Sequence, residues 1–275
     1  MRRFRFLSKH RLPLAQTAVR AATATATATT TARAAALAAG AALLLIAALP
    51  VRAAAPSPQQ LQALEAAFNG QGDLAPLLQE GPGLDPAAVQ ARRQQLLSRF
   101  PDARWQLSPG PELPGGRPTV LVQVRGSRED GPLRFRLEAE QQLLLESDGR
   151  RINGQTVLRE QALLRSGAVD LPVTLLIPDA VLTGQRYDVD VIVDEPLDGA
   201  ILAGGIADIT GDQVAALDSP SLRIGALGGG GLFRVVRAPL NPGEQTWAVL
   251  LVHPDGLVSA SKRVRVVAER EQLQP

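Results

Sequence analysis

Apolar and polar positions alternate with period two from Leu133 to Glu146. Leu133, Phe135, Leu137, Ala139, Leu143 and Leu145 share one parity. Arg134, Arg136, Glu138, Glu140, Gln142 and Glu146 take the other, with Leu144 the one apolar intruder. Such a period puts the two sets on opposite faces of a long strand. Asp130-Gly131 and Asp148-Gly149 bracket it with turn signals. Thr119–Arg128 before it alternates through Val120, Val122 and Val124, and Arg151–Ser166 after it through Ile152, Leu158, Ala162 and Leu164. Thr156–Arg165 is also compatible with helix by composition, and the two Asp-Gly turns favour a strand in an antiparallel meander.

Upstream the period changes to that of a helix. Gln59–Phe68 carries Leu61, Leu64, Ala67 and Phe68 at helical spacing, and Asn69-Gly70-Gln71-Gly72 stops it. Asp73–Gln79 has the composition of a further helical turn. Asp85-Pro86 opens a second helix, with Asp as cap and Pro at the first position. It runs to about Phe100 and turns Val89, Leu96, Leu97 and Phe100 to a core. Arg104–Leu107 is a short strand with Trp105 and Leu107 on one side. Helices followed by an antiparallel meander define an α+β unit.

Beyond Gly167–Pro172, a link, seven strand candidates follow: Leu171–Ile177, Arg186–Asp194, Ala200–Ile209, Ser221–Ala226, Leu232–Arg237, Gln245–His253 and Leu257–Val267. Turns at Pro178-Asp179, Thr183-Gly184, Asp198-Gly199, Asn241-Pro242-Gly243 and Pro254-Asp255-Gly256 separate them. Short strands at this spacing predict an all-β antiparallel sandwich, with Trp247 in its core.

Charge changes the picture at the N-terminus. The chain of 275 residues has a formal net charge of +2. Residues 1–53 hold eight basic residues and no acid, which leaves 21 basic against 27 acidic residues in the remainder. Without a net basic balance in that remainder, nucleic-acid binding is excluded. Ala34–Leu49 is an uncharged Ala/Leu/Ile run between Arg33 and Arg52, and Val51-Arg52-Ala53 offers a cleavage site. Residues 1–53 therefore read as a signal peptide, which implies a periplasmic or extracellular bacterial protein with no stable membrane span after cleavage. Cysteine is absent, which removes disulfides, thiol catalysis and thiolate metal sites.

The residues Phe100-Pro101-Asp102-Ala103-Arg104-Trp105, with the long strand leading to Ser147-Asp148-Gly149-Arg150 and Ile152, resemble the nuclear transport factor two-like superfamily. Its polyketide-cyclase-like and ketosteroid-isomerase-like branch is the nearest. The resemblance implies a cone-like α+β domain over 57–166, whose curved sheet wraps a pocket closed by the helices. Residues 171–268 are similar to immunoglobulin-like or fibronectin-like sandwiches, and 269–275 form a tail.

Candidate chemistry is sparse. His10 lies in the export segment and His253 at a turn, so no histidine-based triad or histidine-rich metal site can form. Glu138, Glu140 and Glu146 take the outward parity of the long strand. Gln141 is the inward polar residue there, a ligand-orienting amide, a core amide bonded to backbone, or a position near the mouth of the cone. Asp102 reads as a helix-stop residue. Gly228–Gly231 lacks the lysine of a phosphate loop. Asp188, Asp190, Asp194, Glu195 and Asp198, with Asp208 and Asp212, read as a solvated acidic face that Arg263 and Arg265 could offset. Gln141 and Trp105 are the candidate ligand-binding residues, with no catalytic residue, metal or cofactor. The expected role is a non-catalytic binding or assembly module for a small apolar ligand or an envelope protein partner. An isomerase or cyclase with a pocket carboxylate, and a structural envelope protein, are the alternatives.

Overall fold

The computed structural model describes residues 54–275 apart from 168–170, 195–201, 217–220, 228–229, 255 and 275. Residues 1–53, expected to be a signal peptide, the centre of the 167–172 link, Glu195, Asp198 and the Asp198-Gly199 turn lie outside the described residues. The described chain is β-rich and mostly antiparallel.

Local signals set the two long helices. α1 (Pro58–Phe68) starts at a capping box: Gln60 N–H donates to Ser57 Oγ at 3.2 Å, and Ser57 N–H to Gln60 Oε1 at 2.9 Å. α2 (Pro86–Arg99) is capped by Asp85, whose Oδ1 accepts from the amides of Ala87 and Ala88 at 2.9 and 3.2 Å. Between the helices, residues 73–79 form one hydrogen-bonded turn, Leu78 N–H to Leu74 O, and no further helix. The chain then leaves as an extended strap.

Four antiparallel strands follow: β1 (Arg104–Pro109), β2 (Val120–Asp130), β3 (Leu133–Ser147) and β4 (Ile152–Gly167). One face of this meander carries Val122, Val124, Leu137, Leu143 and Leu145 and packs under Leu64 and Ala67 of α1. Leu133, expected on the same inward face, is largely exposed at the hairpin end. A bulge between Gln142 and Leu143 shifts the register, so that Leu143 faces Val157 and not Leu158.

The sheet does not end at β4. β12 (Gly256–Val267) pairs with it from Lys262↔Gln161 to Gly256↔Gly167. β11 (Gly243–His253), β8 (Leu202–Ile209) and the three-residue β9 (Gly225–Leu227) complete the order β1-β2-β3-β4-β12-β11-β8-β9, and β6 (Ala180–Leu182) joins β12 in parallel. β9 is much shorter than the expected Ser221–Ala226 strand, while β6 and the six-residue helix α3 (Gly211–Ala216) carry no period long enough to read. A second sheet, in the order β10 (Gly231–Arg237), β7 (Arg186–Val193), β5 (Val173–Leu176), covers the opposite face of this half. β4 is the strand on which the covered face changes. Leu164 packs into the core under the helices and Leu163 into the core against the second sheet.

Trp247 is buried in that second core, where its Nε1–H donates to Tyr187 Oη at 2.9 Å. Tyr187 in turn donates to Gln245 Oε1 at 2.8 Å, and burial pushes its phenol pKa up.

The edge of β4 is shared between two partners. β12 occupies 161–167, and the strap occupies its start: Gln79 N–H donates to Ile152 O at 2.8 Å, Ile152 N–H to Leu77 O at 2.9 Å and Gln155 N–H to Pro82 O at 2.9 Å. Arg265 Nε fills the gap by donating to Leu158 O at 3.2 Å. No stretch of β4 is thus left as an open pairing edge.

Candidate functional site

A cavity of about 380 Å³ lies between α1, α2 and the inward face of β1–β4. Its floor is apolar: Val122, Val124, Leu137, Leu143 and Leu145. The facing pair Ala139↔Ala162, each no larger than a methyl, leaves the space that longer side chains would fill. Leu78 and Leu84 from the strap form one wall, and Val214 of α3 and Ser261 of β12 also line it.

Trp105 and Gln141 both border this cavity. Trp105 is buried, with its ring stacked on Phe68 at 5.8 Å between centroids and 14° between planes. Its backbone is held from outside the sheet. Asn69 Nδ2 donates to Trp105 O at 2.8 Å, and Trp105 N–H donates to Asn69 Oδ1 at 3.0 Å. Leu107 N–H donates to Glu65 Oε2 at 2.7 Å. The end of α1 thereby acts as a side-chain surrogate for the missing strand beyond β1. Asn69→Ala is expected to lower stability by about 1–3 kcal/mol, because two ladder groups lose partners that water reaches poorly. Urea unfolding and a red shift of Trp105 emission check it; an unshifted spectrum and midpoint would show that Phe68 alone places the ring.

Among the described residues the Gln141 side chain does not bond to backbone. Its Nε2 donates to Glu160 Oε1 at 2.8 Å, directly across from β3 to β4. Glu160 Oε2 accepts from Arg263 Nη1 of β12 at 3.1 Å, and Arg263 also pairs with Glu244. The polar row Gln141–Glu160–Arg263–Glu244 thus crosses from the cavity wall into the second half of the sheet. Arg263 is spent here and not on Asp188, Asp190 or Asp194. Arg265 goes to backbone carbonyls, so the two arginines do not offset the acidic strand as expected.

Glu160 is the residue that inspection of the long strand alone misses. It shares the parity of Ala162 and Leu164, and that parity carries it to the cavity. Asp85, the other carboxylate lining the cavity, is occupied with capping α2. Asp102 lies elsewhere: the Ser127 hydroxyl and amide bond to it at 2.5 and 2.7 Å and hold its carboxyl below the usual range. It pins the turn after α2 to β2. His253 closes β11, half-buried and away from the cavity lining. Among the described residues no cluster of three or more His, Asp or Glu side chains is placed to hold a metal ion. No helix among them is long and apolar enough to cross a membrane.

Residues 168–267, from just after β4 to the end of β12, match a family described as a domain of unknown function (DUF8623). No curated protein matches the chain.

Proposed function

We propose that this is an exported, non-catalytic binding module whose cavity takes a small, mainly apolar ligand. In this reading α1, α2 and β1–β4 form a cone-like domain of the nuclear transport factor two-like kind, and the strands after it an immunoglobulin-like sandwich. The observation that carries the reading is the cavity itself. Its volume falls in the range of about 300–1,000 Å³ typical of small-molecule sites, and its apolar floor ends in a few convergent polar groups. Ala139→Phe should fill it. The expected result is loss of any ligand retained in native mass spectrometry, with thermal stability kept or raised because empty volume is removed. A ligand retained undiminished by that variant would place binding elsewhere.

Glu160 supports a second reading, a proton-moving isomerase or cyclase, since it is a carboxylate on the cavity wall. Both its oxygens already have partners within the protein, which weighs for binding over turnover. Glu160→Gln separates the two readings: an activity abolished with ligand still retained would favour the enzyme.

A further inference from the structure

The cavity face of α2 is interrupted by charge in its middle turn. Its stripe runs Asp85, Ala88, Val89, Arg92, Arg93, Leu96, all lining the cavity. Surface helices typically keep the stripe that faces a core apolar. Here two adjacent arginines occupy the middle turn, and none of the residues of α2 is fully buried.

The charge inventory of the cavity is uneven. Asp85 is satisfied by the amides of α2, and Glu160 by Gln141 and Arg263. Arg93 is half-buried, and its Nε donates to the carbonyl of Phe68, the last residue of α1, at 2.8 Å, which orients the guanidinium at a helix C-terminus and leaves it without a carboxylate. Arg92 is exposed. Among the described residues neither Arg92 nor Arg93 has a carboxylate partner within ion-pair distance. The acids that line the cavity are thus matched, and two guanidinium groups are not.

Resting on the proposed binding function, we infer that the ligand is an amphiphile with an anionic head, its apolar body on the floor of β2–β4 and its carboxylate on Arg92 and Arg93. Guanidinium groups suit this role because their planar donors meet a carboxylate in a bidentate fork. Arg93, oriented by the Phe68 carbonyl, fixes the head position, and Arg92 adds charge from the rim.

The test compares three probes with one apolar chain: decanoate, decanol and decylammonium, titrated calorimetrically into the mature chain. The expected result is that decanoate binds about tenfold more tightly than decanol, and that decylammonium binds most weakly. Added salt should narrow the gap between decanoate and decanol. In Arg92→Gln/Arg93→Gln the preference for decanoate should vanish while decanol affinity is kept. A structural role for the arginines would weaken all three probes alike. Arg92→Gln alone, at an exposed position, should lose part of the preference without affecting the fold. Equal binding of decanoate and decanol, or preference for decylammonium, overturns the anionic-head inference and leaves the cavity reading standing. Failure of all three probes to bind overturns both.

Discussion

Gly83→Ala is expected to destabilise the protein by about 3 kcal/mol or more and to disrupt the cavity wall with it. Gly83 has φ +67°, a conformation that favours glycine, and an added Cβ would lie 2.1 Å from the Gln155 carbonyl oxygen. That oxygen is backbone and cannot rotate away. Gly81 two residues earlier is pressed as closely on Asn153 O, at 1.8 Å, so the turn can make room only by moving away from β4. Displacing it breaks the Gln155–Pro82 hydrogen bond and withdraws Leu84, which is buried in the core and lines the cavity. A control separates backbone strain from the clash. Gly115 has φ +86° with nothing within 4 Å of its added Cβ, so Gly115→Ala should cost only about 1 kcal/mol. Urea unfolding of the two variants measures the difference. Equal costs would mean that the strap is not pressed against β4.

The strap also shows where the sequence stops being legible. Gly81-Pro82-Gly83 reads as a chain break, and locally it is one. What makes it structural is a close approach to β4, a contact between segments far apart in sequence that no local period reports. The legible elements are those with signals inside themselves: the Ser57 and Asp85 caps, and the alternation of β2 and β3 between Asp-Gly turns. Pairing of β4 with β12 belongs to the illegible part. Lys262, Ser261 and Ala260 face Gln161, Ala162 and Leu163 with no charge or size pattern that would select one another.

The candidate site divides along the same line. Trp105 and Gln141 stand out because each breaks or punctuates a short-range pattern, and both border the cavity. Glu160 is visible in principle, lying between Leu158 and Ala162 on one parity of its strand. The bulge at Gln142/Leu143 shows why parity alone does not place a side chain here. It leaves Glu160 on the cavity face and turns Leu158 away from it, although the two share a parity. Arg92 and Arg93 sit in no short-range pattern that marks them, and only the cavity gives that face of α2 something to line.

The second large effect concerns a charge with almost no access to water. Lys262 is inward on the β12 face that packs against the second sheet, with its side chain only 4% exposed, and its ammonium pairs with Asp179. Asp179 is different: its side chain is 43% exposed and also lies 3.7 Å from Arg159 Nε. The two partners therefore respond oppositely to loss of the other. Asp179→Ala strands a buried cation, and the expected cost is about 3–5 kcal/mol. The same change removes the one acidic influence that opposes burial in pushing down the pKa of Arg265. Lys262→Met leaves Asp179 hydrated beside Arg159 and fills the same apolar slot with an unbranched chain, so its cost should stay within about 1 kcal/mol. Combining Lys262→Met with Asp179→Ala leaves no stranded charge, and stability should recover most of what Asp179→Ala lost. Chemical denaturation of the three variants gives the cycle. A Lys262→Met variant as unstable as Asp179→Ala would show that the ion pair contributes net stability. The expected asymmetry would mark Asp179 as the group that makes a buried lysine tolerable next to the strand shared by both halves of the sheet.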